Sequence, residues 1–153
     1  MKSTLQTVQQ AAASRGLYNS RMTDSAVNVA KEFVRAINRQ NVDALAALMT
    51  TDHRFTDSLG NTVEGRNAMR SGWAGYFGMV PDYSLAIEET YADGSVVVLL
   101  GMAQGTFTGK GAPAHENRWQ TPIAIRARIE DGLVAEWRVF ADNEPIRALM
   151  RMA

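Results

Sequence analysis

One acidic side chain stands where it could do chemistry. Asp57 follows an alternating stretch, residues 53–56, and precedes a turn made by Ser58-Leu59-Gly60-Asn61. A carboxylate at the end of a strand that faces an apolar cavity can act as a general base or anchor a ligand. It can also be an ordinary surface aspartate. The spacing alone leaves all three interpretations open.

Two neighbouring residues bear on the chemistry of this carboxylate. His53 is four positions before Asp57 on the same face of the strand, roughly 13 Å away, so we expect no histidine–aspartate relay there. Arg66 is expected to pair with a nearby carboxylate, either Asp52 or Asp57. A pair with Asp57 would weaken the general-base interpretation, because a close cation stabilises the carboxylate form.

Composition narrows the class of function. The chain has 153 residues, of which 46% are hydrophobic and 21% charged, as in one globular domain. The 16 basic and 16 acidic residues cancel, so we expect neither nucleic acid nor an anionic membrane as a partner. With no cysteine and only two histidines, His53 and His115, the sequence predicts no disulfide, no metal site and no cofactor. A reducing cytoplasmic location fits this composition.

Helical periodicity predicts the elements ahead of the sheet. A helix capped by Thr23 or Asp24 runs to about Arg39, a shorter helix follows residues 41–43, and an aromatic helix follows Gly65. Residues 1–22 form a separate N-terminal helical arm, and residues 23–153 form the domain. The arm is expected to pack on the domain or on a partner subunit through Leu5, Val8, Ala12 and Leu17.

The second half of the chain is predicted to form strands. They span residues 83–91, 96–107, 117–129 and 133–141, with a Glu-Asp-Gly hairpin turn before the last and a short helix at 144–151. Alternation along the last two strands places apolar and aromatic residues on one face and charged residues on the other. The result is one α+β domain in which helices cover a curved sheet.

The covered face of this sheet encloses either a solid core or a pocket. Bulky aromatic residues on the covering elements make complete filling difficult, which favours a pocket. We expect an apolar or aromatic small molecule to bind there. The predicted binding residues are Phe33, Ile37, Phe55, Trp73, Tyr76, Phe77, Trp119, Thr121, Ile123, Trp137 and Val139.

The order of elements and two segments resemble the nuclear transport factor 2-like superfamily, in its SnoaL-like and ketosteroid isomerase-like branch. The segments are Phe55-Thr56-Asp57 with the following Glu64-Gly65-Arg66, and the hairpin 131–138. The resemblance covers about residues 25–150. It implies a cone-shaped, cystatin-like barrel, with a bent and mostly antiparallel sheet wrapped around N-terminal helices. It also implies a homodimer formed through the sheet.

The resemblance further implies a role for Asp57 as the general base of a cofactor-independent isomerase, cyclase or lyase. By this resemblance, Phe33 stands where the family has a tyrosine donor, and Ile125 stands near the position of the family's protonated aspartate. Neither side chain can donate a hydrogen bond, so steroid isomerisation is disfavoured. Val139 replaces an aspartate of the epoxide hydrolases. Residues 142–143 are interpreted as a cap for the last helix, with a role at the cone mouth as the alternative.

These observations predict a SnoaL-like protein that binds a small molecule and uses Asp57 for proton-transfer chemistry. A non-catalytic ligand-binding or assembly module with a filled core is the alternative. A subunit that contributes an interface to a larger enzyme is the third class.

Overall fold

The chain folds as an open, bent sheet covered by helices. The computed structural model describes residues 4–109 and 115–152. Over these residues the helices are α1 (Thr4–Asn38), α2 (Val42–Ala47), α3 (Arg66–Met79) and α4 (Glu144–Met152). The strands are β1 (Met49–Thr56), β2 (Thr62–Glu64), β3 (Ser84–Asp93), β4 (Val96–Thr106), β5 (Arg118–Glu130) and β6 (Leu133–Ala141), with a 3-10 turn at His115–Asn117 before β5.

The six strands form one sheet in the order β2-β1-β6-β5-β4-β3. β1 and β6 are parallel, and every other neighbouring pair is antiparallel. The predicted α+β class and the mostly antiparallel sheet are confirmed. The short strand β2 was not predicted, because three exposed residues carry too little alternation to be recognised.

The C-terminal half of α1 packs against the concave face of the sheet. Phe33 and Ile37 of α1 are fully buried, and the Phe33 ring lies 4.6 Å from the ring of Trp137. The predicted faces of β5 are confirmed, since alternate residues from Trp119 to Ile129 are buried while their neighbours are not. The hydrophobic core therefore lies between α1, α3 and this one face of the sheet.

Helix α1 is longer than the sequence pattern predicts. The predicted cap at residues 23–24 is wrong, because the helix runs on through this point. No proline precedes residue 81, and extending a helix adds one hydrogen bond for each residue fixed. Packing of the arm on its own domain is also wrong, since three of its apolar side chains are 75%, 61% and 62% exposed: Leu5, Val8 and Leu17. Packing of the arm on a partner subunit stays a prediction.

An asparagine side chain fixes the end of α1 to the edge strand β3. Asn38 Nδ2 donates to the Leu85 carbonyl at 3.0 Å, and the Leu85 N–H donates to Asn38 Oδ1 at 2.8 Å. The two bonds pair the edge-strand backbone as a neighbouring strand would. They therefore set the position of the helix along the sheet.

Gly101 allows β3 and β4 to approach closely at an irregular point in their pairing. The register between the strands shifts between Ile87 and Glu89. A Cβ at Gly101 would lie 1.9 Å from the Ala86 carbonyl oxygen, a distance that only backbone movement can relieve. This position therefore requires glycine.

Gly101→Ala is expected to lower the free energy of unfolding by about 2 kcal/mol or more, because two packed strands must separate. Gly75→Ala is the matched control. Its Cβ would meet no atom within 4 Å, and alanine improves a helix by up to about 1 kcal/mol. Urea unfolding of both variants measures the difference. Equal midpoints for Gly101→Ala and the unmodified protein would show that the close approach is absent.

Candidate functional site

A cavity of about 330 Å³ lies between α3 and the concave face of the sheet. We call it the aromatic cavity. Its wall is built by β1, the β1–β2 turn, α3, the central strands and the residues before α4. The wall residues are Phe55, Asp57, Ser58, Val63, Met69, Gly72, Trp73, Tyr76, Tyr83, Ala103, Trp119, Ile123, Ile125, Trp137, Val139 and Asn143.

The aromatic part of the wall is a chain of rings in contact. Trp73 and Tyr76 lie on one face of α3, three positions apart, with their rings 6.4 Å apart and nearly perpendicular. The Tyr76 ring lies 5.0 Å from that of Tyr83, which lies 6.0 Å from that of Trp119. Rings that contact one another in this way restrict each other's rotation, so the wall has a defined shape.

Two tyrosine hydroxyls and two indole N–H groups belong to this chain of rings. Burial raises the pKa of Tyr76 well above its usual range, and burial together with Tyr76 does the same for Tyr83. Both hydroxyls therefore keep their protons and can donate hydrogen bonds. The indole nitrogens of Trp73 and Trp119 are buried and have no hydrogen-bond partner among the described residues.

Asp57 lies in the wall at the turn that follows β1, partly buried. Its Oδ1 accepts the backbone N–H groups of Leu59 and Asn61, each at 2.9 Å, and its Oδ2 accepts Asn61 Nδ2 at 3.1 Å. The carboxylate therefore organises its own turn as well as facing the cavity. The predicted pairing with Arg66 is wrong, since none of the salt bridges of the described residues joins Arg66 to Asp57 or Asp52.

The end of β6 is tied to the same turn. Asn143 Nδ2 donates to Ser58 Oγ at 2.8 Å, and both residues lie in the cavity wall. Asp142 Oδ1 accepts the backbone N–H of Glu144 at 2.9 Å, as the interpretation of Asp142 as a helix cap predicts. Asn143 therefore lies at the cavity, which is the alternative that the sequence left open for residues 142–143.

Four residues predicted to bind the ligand do not reach the cavity wall. Phe33 and Ile37 are fully buried in α1 behind the wall, and Phe77 packs beside Trp73 with a ring separation of 5.4 Å. The Thr121 hydroxyl donates to the Asp142 carbonyl at 2.8 Å. Each of these predictions placed the residue on the right face of its element, but the pattern does not indicate depth. The other predicted residues lie in the wall: Phe55, Trp73, Tyr76, Trp119, Ile123, Trp137 and Val139.

Several wall residues were not predicted as part of the site. Met69 lies four positions before Trp73 on α3, so helical spacing could have identified it. Tyr83 and Ala103 come together only through strand pairing and carried no such signal. The remaining unpredicted residues are Ser58, Val63, Gly72 and Ile125, whereas a place for Asn143 at the cavity is the alternative that the sequence left open.

His53 lies in the core and is not part of the cavity wall. Its side chain is fully buried, and Nδ1 lies 2.7 Å from the Val134 carbonyl oxygen. Because a carbonyl only accepts, Nδ1 carries the proton, and the buried Nε2 has no partner among the described residues. Burial lowers the pKa of His53 below its ordinary value of 6.5, and the hydrogen bond to Val134 offsets this only in part.

The described part of the chain forms neither a metal-binding cluster nor a membrane-spanning helix. Within residues 4–109 and 115–152, no three histidine, aspartate or glutamate side chains come together to hold a metal ion. Over the same residues, none of the helices combines the length and apolar character needed to cross a bilayer.

The chain belongs to the SnoaL-like domain family, whose match covers residues 30–137. These residues run from the buried half of α1 into β6 and include Asp57 and most of the cavity wall. The resemblance to the SnoaL-like branch of the nuclear transport factor 2-like superfamily is thereby confirmed. A search of curated proteins finds no match to this sequence.

Solved structures with the same fold come from several kinds of protein. A putative SnoaL-like polyketide cyclase from Jannaschia sp. CCS1 is 22% identical, with a TM-score of 0.71, covering 84% of this chain and 91% of that one. An LEH-like epoxide hydrolase from M. tuberculosis is 17% identical, with a TM-score of 0.70, covering 85% and 92%. A protein from Catenulispora acidiphila DSM 44928 with a ketosteroid isomerase-like fold, in complex with trimethylamine, is 21% identical, with a TM-score of 0.68, covering 78% and 89%. At these identities the likeness establishes the fold alone.

The buried histidine predicts a pH dependence of stability. Below pH 6.5 His53 takes up a proton in the unfolded chain but not in the folded chain. The free energy of unfolding therefore decreases as the pH is lowered, by up to about 1.4 kcal/mol per pH unit, until the pH reaches the pKa of His53 in the folded chain. His53→Gln should therefore lose less stability between pH 7.5 and pH 5 than the unmodified protein. Urea unfolding at both pH values measures this, with the exposed His115 as control through His115→Gln. An equal loss in His53→Gln and the unmodified protein would rule out this origin.

Proposed function

We propose that the protein binds an uncharged apolar or aromatic small molecule in the aromatic cavity. The observation that carries the proposal is an open volume of about 330 Å³ with a wall of aromatic and aliphatic side chains and a few polar groups. Binding pockets for small molecules begin at roughly 300 Å³ and have this mixed lining. A filled core, the alternative from the sequence, would leave no such volume.

The charges in the wall support an uncharged ligand. Asp57 is the one charged side chain among the described wall residues, and no arginine or lysine accompanies it there. An anion placed in the cavity would lose its hydration without gaining a cation, which is costly. Flat apolar molecules instead gain contact with the faces and edges of Trp73, Trp119 and Trp137.

A second role is proposed for Asp57, as the base in an isomerase, cyclase or dehydratase reaction. It is the acid group in the wall, and its turn fixes its orientation through three hydrogen bonds. A carboxylate has about four lone-pair sites, so one remains for a proton from a bound molecule. Removal of a proton next to a carbonyl is the chemistry that such a group performs.

A homodimer through the sheet is proposed as the assembly. The face of the sheet turned away from the cavity carries both signs of charge, with Arg126 and Arg128 each close to Glu136. Phe140 and Tyr91 are exposed apolar groups. Mixed charges of this kind suit contact with a second copy of the same face.

Partial filling of the cavity should weaken binding. Ala103 is a wall residue on β4, and Ala103→Phe is expected to weaken binding of the uncharged probe N-phenyl-1-naphthylamine at least about tenfold, a loss of about 1.4 kcal/mol. Probe fluorescence in a titration gives the dissociation constant, and circular dichroism confirms folding. Ala86→Phe is the control, because Ala86 is an exposed strand residue outside the wall. Unchanged binding by a folded Ala103→Phe protein would place the probe elsewhere.

The base role predicts proton exchange that depends on Asp57. The unmodified protein should accelerate hydrogen–deuterium exchange beside the carbonyl of 2-tetralone, and Asp57→Asn should lower this acceleration about 100-fold or more. Asparagine retains an Oδ1 for the two backbone N–H groups, and Asn61 can rotate its amide to meet the new donor. Asp52→Asn is the control, since Asp52 is exposed and outside the wall. Exchange is followed by NMR in deuterium oxide.

The two proposed roles of the site separate cleanly in this experiment. Equal exchange rates for Asp57→Asn and the unmodified protein would reject the base role. If the same variant still binds N-phenyl-1-naphthylamine, the proposed ligand binding stands even though the base role is rejected.

A further inference from the structure

We infer that a phosphate group binds on the outer face of the sheet, which is the face turned away from the aromatic cavity. The site is a hollow of about 280 Å³ that spans β2, β1, β6 and β5, and we call it the arginine hollow. It is a second site, beyond the proposed function and independent of it. We expect the hollow to stay open to solvent when two copies pair. Its lining contains three arginines, two threonines and a glutamate: Arg54, Arg126, Arg138, Thr56, Thr62 and Glu136.

The first observation is a row of alternating charges that crosses four strands on this face. From β2 to β5 the directly opposed residues are Glu64, Arg54, Glu136 and Arg128. Arg54 Nε lies 3.7 Å from Glu64 Oε1. Arg128 Nε lies 3.2 Å from Glu136 Oε2. Each arginine of this row therefore has a carboxylate partner within the row.

The neighbouring row breaks this pattern. In the same strand order its residues are Thr62, Thr56, Arg138 and Arg126. Arg126 and Arg138 are directly opposed on adjacent strands, which lie about 4.8 Å apart. Like charges in this arrangement are destabilising. Since the row contains no acidic residue, an anion bound between the two arginines would remove their repulsion.

The glutamate in the lining of the hollow does not compensate this pair of arginines. A hydrogen bond from Arg128 is the main reason that the pKa of Glu136 lies below its usual value. Arg126 Nη2 is 3.7 Å from Glu136 Oε2, which is too far for a hydrogen bond. Arg138 has no carboxylate partner among the described residues, and its guanidinium carbon lies 4.9 Å from the centre of the Phe140 ring. Both arginines therefore keep N–H groups available for a ligand.

The two threonines supply neutral donors beside the arginines. The hydroxyl oxygens of Thr56 and Thr62 are 3.3 Å apart, and either can donate to the other. One hydrogen bond uses one hydroxyl hydrogen, so the second hydroxyl hydrogen is available to a ligand. Thr56 is also the direct neighbour of Arg138 across the β1–β6 pair. The row therefore offers guanidinium and hydroxyl donors to a single anion.

A phosphate group fits this set of donors better than a carboxylate does. A phosphate monoester carries a charge of about −1.5 to −2 at pH 7 and has three acceptor oxygens. It can accept from both guanidinium groups and from a hydroxyl at once, and it neutralises both positive charges. A carboxylate has one negative charge, so one arginine would stay uncompensated. The phosphate group belongs either to inorganic phosphate or to a phosphate ester.

A titration of the full chain measures binding. Backbone N–H chemical shifts are followed by NMR while phenyl phosphate or inorganic phosphate is added, and sodium chloride keeps the ionic strength constant. We expect saturable shifts at Thr56, Thr62 and Arg138. Tighter binding of phenyl phosphate would assign the site to phosphate esters, and equal or tighter binding of inorganic phosphate would assign it to the free ion. Both outcomes support the inference.

Variants assign the binding to the arginine hollow. Arg126→Gln and Arg138→Gln should each weaken phosphate binding about tenfold, because each removes one of the two uncompensated charges. Arg118→Gln is the matched control, since Arg118 is an exposed residue of β5 outside the hollow and the change in net charge is the same. It should alter binding less than about twofold. Glu136→Gln should strengthen binding about threefold, because it removes the negative charge from the lining.

Thermal unfolding gives a second measurement. Without phosphate, Arg138→Gln should melt at or above the temperature of the unmodified protein, because the substitution removes a pair of like charges. Added phosphate at constant ionic strength should raise the melting temperature of the unmodified protein and leave that of Arg138→Gln unchanged. A ligand stabilises the folded state only when the folded state binds it.

Two results would overturn the inference. One is that neither phosphate compound produces saturable shifts in the unmodified protein. The other is an equal loss of binding in Arg118→Gln, Arg126→Gln and Arg138→Gln, which would indicate general attraction of anions without a site. Binding of the uncharged N-phenyl-1-naphthylamine is measured separately, so failure of this inference is distinct from failure of the proposed function.

Discussion

The packing of Phe33 against the concave face of the sheet governs the interior of this protein. Its ring is fully buried and lies 4.6 Å from Trp137, 6.0 Å from His53 and 6.5 Å from Trp73. Since protein interiors are close-packed, these contacts fix how near α1 approaches the sheet. Trp73 and Trp137 rest on Phe33 and also line the cavity. Phe33, which has no polar group, thus supports the two tryptophans by packing against them.

The wall of the aromatic cavity has two chemical regions, a cluster of rings and the turn that carries Asp57, and different interactions hold each in place. The ring cluster from Trp73 to Trp119 is held by ring packing, while the turn that carries Asp57 is held by hydrogen bonds within itself and by the bond from Asn143 to Ser58. Neither region has to order itself when a ligand enters. Groups fixed before binding cost little entropy on association, and this favours selective recognition by few contacts.

Much of this architecture could be predicted from residue periodicity, and the remainder could not for a physical reason. Alternation along β5 and β6 gave the correct faces, and the Glu130-Asp131-Gly132 turn marked their hairpin. Periodicity reports which face of an element is buried but not how deep a side chain lies, so Phe33 and Ile37 were placed in the wall that they in fact support. The hydrogen bonds of Asn38 to Leu85 and the close approach at Gly101 depend on contacts between residues that are distant in sequence. A local sequence pattern does not indicate such contacts.

The parallel pairing of β1 with β6 has a consequence for the order in which the molecule assembles. Phe55 lies beside Trp137, 82 positions later (137 minus 55), whereas β3, β4, β5 and β6 each pair with a neighbour in sequence. Contacts between distant segments form slowly, because the intervening chain must first be brought together. The antiparallel meander of β3 to β6 can therefore form without β1, and we expect β1 to pair with it afterwards. On a ribosome, which makes the chain from its N-terminus, the parallel pairing of β1 must wait until the final strand of the sheet has been made.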